Sequence, residues 1–152
     1  LQGEHSVFSS ASALLSVSGG LITSVVRALQ QLYPKDVKVK NLPKISGGKI
    51  YKKINLQIFG KEMQFVALHG MKNIADYIER LQKGLEYADF IELLACPNGC
   101  VNGGGVTVGM DTEEQIRLFT KNIVDTDQIA VLQNSINNEF VKKYFENTIK
   151  TN

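Results

Sequence analysis

Metal-binding side chains are scarce in this chain, whose 152 residues include two cysteines, Cys96 and Cys100, and two histidines, His5 and His69. A structural zinc site takes four ligands and an iron–sulfur cube usually takes four cysteines, so the chain cannot complete either site alone. His69 ends a strand pattern beside Gly70, where a lone histidine is more often hydrogen-bonded than a ligand. An excess of one charge is also missing. Seventeen basic against fifteen acidic residues leave a net charge of +2. The lysines are scattered rather than gathered into a stripe with aromatics, which argues against nucleic acid as a partner. No apolar run approaches the roughly 20 residues that cross a bilayer, and the first residues lack the basic-then-apolar order of a secretion signal. A cytoplasmic protein with no membrane association is therefore expected. There is no internal repeat. The chain opens on Leu1 rather than methionine and runs into Ser/Ala-rich sequence, so a processed chain or a piece of a longer polypeptide is expected.

The composition, 43% hydrophobic and 21% charged, fits a single ordinary domain or a fragment of one, with enough apolar residues for a core. Residues 1–17 lack a clean period and read as an irregular arm. Ser18-Gly19-Gly20 then opens a helix over about 19–32: Leu21, Ile22, Val25, Val26, Leu29 and Leu32 recur at helical spacing with Arg27, Gln30 and Gln31 opposite, and Pro34 ends it. Val37 and Val39 alternate with Lys38 and Lys40 in a short strand, and Ser46-Gly47-Gly48 marks a turn. Residues 51–68 read as an antiparallel β-hairpin, with Phe59-Gly60-Lys61-Glu62 as a glycine turn into the strand Met63 to Leu68. Ile74, Tyr77, Ile78 and Leu81 restore the helical period, with Gly84 as the stop, and Phe90 to Ala95 is a compact apolar strand. Asp111 with Glu114 starts a helix carrying Ile116, Phe119 and Ile123. A last helix over about 135–149 is expected to bury Ile136, Phe140, Tyr144 and Phe145. This order predicts an α/β fold, a mixed sheet with a β-hairpin flanked by helices.

The stretch with chemical content is Phe90-Ile91-Glu92-Leu93-Leu94-Ala95-Cys96-Pro97-Asn98-Gly99-Cys100-Val101-Asn102-Gly103-Gly104-Gly105. Both cysteines fall four residues apart in a glycine-rich loop that follows a strand. Two thiolates so spaced reach two corners of an iron–sulfur cube or two positions on zinc, and glycines let backbone N–H groups approach inorganic sulfide. Pro97 removes one N–H and fixes the turn. The plainer alternative makes both cysteines small buried hydrophobes. Against it, Gly103, Gly104 and Gly105 weaken a core segment unless a ligand or another backbone presses close. A disulfide is disfavoured by compartment. A phosphate-cradling loop lacks the Gly-Lys-Ser/Thr ending, and Asp111 at the following helix start repels an anion.

Ala-Cys-Pro-Asn-Gly-Cys-Val-Asn-Gly-Gly-Gly, preceded by Phe-Ile-Glu, closely resembles the third cysteine motif of the iron-only hydrogenases and their relatives in cytosolic iron–sulfur assembly. Ser18-Gly19-Gly20 with Arg27 is similar to the family's Gly-Gly helix opening. The segment from Phe65 to Ile74 is similar to its strand-to-helix step, and Asn134-Ser135 with Asn138-Glu139-Phe140 and Tyr144-Phe145 to its closing helix. The resemblance implies one lobe, the carboxy-terminal one, of the catalytic domain. It makes Cys96 a ligand of a 4Fe-4S cluster and Cys100 the ligand that also bridges to a diiron subsite, together the H-cluster. Gly103, Gly104 and Gly105 then form the close-packed loop beside them. The implied partners are the missing amino-terminal half of the domain and a ferredoxin-like electron donor or acceptor.

The family's Thr-Ser-Cys-Cys-Pro and Pro-Cys-x-x-Lys motifs are absent, so the chain alone is not expected to turn over hydrogen. Leu94 stands where catalytic members carry Met, Val106-Thr107 where they carry Gln-Pro, and Leu15-Ser16 where they carry Phe-Gly. These changes surround the diiron subsite in the family. The expectation is a lobe of a hydrogenase catalysing 2H⁺ + 2e⁻ ⇌ H₂ when joined to its other half; a sensory or iron–sulfur assembly module without turnover is the alternative, and a metal-free domain the third. The lysines at 38, 40, 44, 49, 52 and 53 read as a solvated edge that discourages strand association, with docking of an acidic electron donor as the other reading.

Overall fold

A computed structural model describes residues 8–39, 51–106 and 113–149. Its helices are α1 (Ala11–Leu14), α2 (Gly20–Leu32), α3 (Met71–Gln82), α4 (Glu113–Ile129) and α5 (Glu139–Ile149). The strands β1 (Val37–Lys38), β2 (Tyr51–Ile58), β3 (Lys61–His69) and β4 (Phe90–Leu94) form one sheet in the order β1-β2-β3-β4. The first two pairings are antiparallel and β3 with β4 is parallel. This is the expected mixed sheet flanked by helices.

The hairpin turns in two residues, Phe59 at φ 51° and Gly60 at φ 73°, both on the positive side that a tight hairpin turn needs. Strand alternation then sends Leu56, Ile58, Phe65 and Ala67 to one face, where they pack with Ile22 and Val26 of α2 and Val37 of β1. Val66 and Leu68 point to the other face, against Ile74 and Tyr77 of α3. Because β3 is covered on both sides, residues 65–69 are all buried, an unbroken run rather than an alternating one. Gly84, at φ 68°, ends α3 by donating to the Leu81 carbonyl, as its position in the sequence suggests.

Three parts of the sequence reading change. Within the expected irregular arm, Ala11–Leu14 is helical, and Leu14 and Val17 are buried in a third cluster with Val101 and Ile116. The final helix starts at Glu139, after a separate turn of 3-10 helix at Ser135–Asn137, and its Phe140 and Tyr144 are exposed rather than buried. Among the lysines, Lys38 is exposed, but Lys52 donates to the Ser18 carbonyl at 3.2 Å and Lys53 pairs with Glu86. Lys40, Lys44, Lys49, the turn at 46–48, Asp111 and the Phe145 side chain lie outside what is described.

Arg27, read from sequence as part of the polar face of α2, reaches across to α4. Its guanidinium donates twice to Asp127, at 2.8 and 2.7 Å, and Ser10 Oγ donates to the same carboxylate at 2.6 Å. Burial pushes the Asp127 carboxyl up, but the hydrogen bonds from Arg27 and Ser10 and the Arg27 charge outweigh it and hold the group below the usual carboxylate range. A depressed carboxyl stabilises the fold above its unfolded value, and this contribution is lost as pH falls through the folded one. Asp127→Asn is therefore expected to cost about 3 kcal/mol near neutral pH by stranding Arg27. Urea unfolding across pH should show the deficit shrinking below the ordinary aspartate range; a deficit that stays constant into acid contradicts the assignment.

Candidate functional site

The parallel strands β3 and β4 end side by side, with His69 opposite Leu94 and the Gly70 N–H donating to the Leu94 carbonyl at 2.9 Å. The carboxyl ends of parallel strands are where open α/β sheets hold their ligands, because connecting loops and helix starts converge there. Here the converging pieces are the Cys96 loop after β4, the start of α3 after His69, and the Ser18-Gly19-Gly20 approach to α2.

That approach is locked by Glu92. As the middle residue of β4 it points inward, is 2% exposed, and accepts the N–H groups of Gly19 at 2.8 Å and Ile22 at 3.0 Å. Gly19 caps α2 without a side chain, so a carboxylate from the neighbouring strand satisfies the helix's first donors and meets the positive end of its dipole. Burial pushes the Glu92 carboxyl above its ordinary value, against the opposing pull of the Ile22 and Gly19 N–H groups and the Lys52 charge. Gly20 is the contact point of this junction: a Cβ there would lie 1.6 Å from the Leu14 carbonyl oxygen. Glycine is thus required by close backbone approach.

The cysteine loop lies over the same junction. Gly99 donates to the Cys96 carbonyl, Asn102 to that of Gly99 and Gly103 to that of Cys100, giving successive tight turns that end in a turn of 3-10 helix at Cys100–Asn102. From outside, the Val101 N–H donates to the Ser16 carbonyl at 3.2 Å, and the Val101 side chain, 2% exposed, is buried with Leu14, Val17 and Ile116. Burying that one valine contributes roughly 1.5–3 kcal/mol toward ordering the loop. On the sheet side, the Asn98 N–H donates to His69 Nδ1 at 2.9 Å.

Cys96 is half-buried, Cys100 exposed, and both are free thiols. Of the three sequence-predicted glycines, Gly103 is brought to them: a Cβ there would lie 3.5 Å from Cys96 Sγ and 3.1 Å from the Cys100 carbonyl oxygen. Among the described residues, a Cβ at Gly104 or Gly105 would meet nothing within 4 Å. Among the described residues no three His, Cys, Asp or Glu side chains gather as a metal site. Two unbonded soft donors on one loop, with a glycine against one sulfur, suit part of an iron–sulfur ligand set.

Glu92, Ser16, Gly99 and the contact of His69 are not assigned by sequence reasoning. Glu92 alone leaves a signal, a charge at the centre of the apolar run Phe90–Leu94. Gly99 has φ 96° and ψ −170°, a region open essentially to glycine, and a Cβ there would lie 2.6 Å from the Ser16 carbonyl oxygen. Gly99→Ala is expected to cost about 1–3 kcal/mol from backbone strain alone and to expose Cys96. A lower urea midpoint with faster maleimide labelling of Cys96 is the expected result; labelling at the wild-type rate contradicts it.

No helix among the described residues is long and apolar enough to cross a membrane. Comparison with known proteins agrees with the fold. The chain is 34% identical over 92 residues to the cytosolic Fe-S cluster assembly factor narfl of Danio rerio, covering 59% of this chain and 22% of that protein. It is 27% identical over 135 residues to the nuclear prelamin A recognition factor of Xenopus laevis, covering 88% and 29%. The chain thus spans about a quarter of the length of these curated relatives. An FeFe-hydrogenase of Chlamydomonas reinhardtii superposes with a TM-score of 0.58 at 19% identity, over 87% of this chain and 40% of that one, a likeness of fold. The family model described as iron only hydrogenase large subunit, C-terminal domain, matches residues 2–104. With its two-cysteine loop set over the ends of β3 and β4, the chain belongs to the family of C-terminal domains of the iron-only hydrogenase large subunit.

Proposed function

We propose that this chain is the carboxy-terminal lobe of a non-catalytic iron–sulfur protein of the hydrogenase-like family, acting in cytosolic iron–sulfur assembly, with Cys96 and Cys100 supplying two thiolate ligands to a 4Fe-4S cluster. The observation that carries the reading is the placement of two free thiols on one externally braced loop, with Gly103 beside Cys96 Sγ and packed so tightly on the Cys100 carbonyl that an added Cβ would stand 3.1 Å from its oxygen. The other two ligands and a ferredoxin-like electron donor or acceptor come from outside the chain, the ligands from an amino-terminal half. When bound, such a cluster supplies a one-electron redox centre. The chain's own contribution is to orient the two sulfurs, let the loop turn tightly at Gly103, and brace it from Ser16 and His69.

Hydrogen turnover, the primary expectation from the sequence, is the less favoured reading. Relatives over much of the chain carry the name of cytosolic Fe-S cluster assembly factors. Leu94, which replaces the methionine of catalytic members, packs its Cδ1 toward Gly99, 3.1 Å from where a Cβ would stand. It therefore fills the space under the loop with hydrocarbon.

Anaerobic reconstitution of the complete native polypeptide tests both readings. Iron and acid-labile sulfide are expected to bind in the wild type and to fall to background in Cys96→Ala and in Cys100→Ala; iron content indifferent to both substitutions removes the cluster site. With a low-potential reductant the loaded wild type is expected to give a cubane electron-paramagnetic signal and no hydrogen. Measurable hydrogen output sinks the assembly reading and restores the hydrogenase.

A further inference from the structure

Asn98 and Gly99, between the two cysteines, both lie on the positive side of φ, at 64° and 96°. An Asn-Gly pair takes up positive φ at modest cost, as in tight turns, and here contacts from two sides fix it in place. Gly99 is held from the helical side by its contact with Ser16 and Val17. Asn98 is held from the sheet side, through its N–H, by His69.

We propose that His69 is the positioning residue for the two thiols, holding Asn98 through Nδ1 so that Cys96 and Cys100 keep their places before any metal is bound; this rests on the cluster-binding reading of the loop. His69 is suited to the task by its base. It ends β3, the strand paired on both sides, is 6% exposed, and its carbonyl accepts Asn73 Nδ2 at 2.9 Å from the first turn of α3. An N–H that donates to Nδ1 requires that nitrogen to be unprotonated, which places the hydrogen of the neutral ring on Nε2. The loop is then pinned at three backbone points: Leu94 by Gly70, Asn98 by His69, and Val101 by Ser16. Cys96 lies between the first two and Cys100 between the last two. A ligand pair preset in this way binds metal with little further loss of backbone freedom.

The test uses the complete native polypeptide with two variants. His69→Leu keeps bulk and removes the acceptor, whereas His69→Asn returns an amide oxygen close to the position of Nδ1. In the metal-free protein, amide exchange at Asn98 is expected to quicken in His69→Leu and to recover in His69→Asn. In the reconstituted protein, a chelator is expected to strip iron roughly 10–100-fold faster from His69→Leu, the size of effect seen when a second-layer partner is lost, with His69→Asn much closer to wild type. Nitrogen NMR of the wild type, which needs no variant, should show Nδ1 unprotonated. A proton on Nδ1, unchanged Asn98 exchange in His69→Leu, or wild-type stripping despite faster exchange each overturns the proposal. Failure of the wild type to take up iron instead overturns the cluster reading, and the exchange and NMR measurements still decide whether His69 holds the loop.

Discussion

The capping of α2 by Glu92 is the interaction on which the site's surroundings depend. Gly19 offers no side chain to the first N–H groups of α2, and those groups are buried against the sheet. An unsatisfied buried donor costs about 1–3 kcal/mol, so the helix can approach the sheet this closely because β4 supplies a carboxylate at the right height. The same approach sets the Leu14–Val17 turn beside the Cys96 loop, where Ser16 and Val17 meet Gly99 and Val101. Strand, helix start and cysteine loop are thus one mechanical unit, assembled from residues more than 70 positions apart.

The unit has a chemical logic. A glycine-rich loop has few side chains to pack and is floppy by itself. Order therefore comes from contacts with the rest of the chain: the burial of Val101 against Leu14, Val17 and Ile116, a carbonyl from the turn before α2, and an imidazole from β3. Arg27 and Asp127 extend the bracing to α4, which with Ile116 closes the third apolar cluster beneath Val101. Phe140 and Tyr144 of α5, by contrast, are exposed.

Much of the fold is legible in the residues. The hairpin follows from alternation and a glycine turn, α2 and α3 from apolar period and their glycine boundaries, and the cysteine segment from two thiols in a glycine run. These are local signals, each contained within a dozen or so residues. The helix within the arm leaves no such signal, because Ala11–Leu14 is too short to show a period and is helical through burial against distant residues. The last helix misleads in the opposite sense. Its stripe of Phe140 and Tyr144 looks like a core face, although periodicity states that a face is apolar and not what covers it.

By itself, the sequence determined the mixed sheet with its hairpin, the helices α2, α3 and α4, and the gathering of both cysteines in one glycine-rich loop. The tertiary structure decided that Glu92 is a helix cap and not a surface charge, that Arg27 is paired across the molecule, and that His69 and Ser16 brace the loop from opposite sides. The division has a physical cause. Periodicity and turn chemistry are written in neighbouring residues, whereas a hydrogen bond between Asn98 and His69, or between Gly19 and Glu92, exists once the chain has brought the end of β3, the middle of β4 and the start of α2 together.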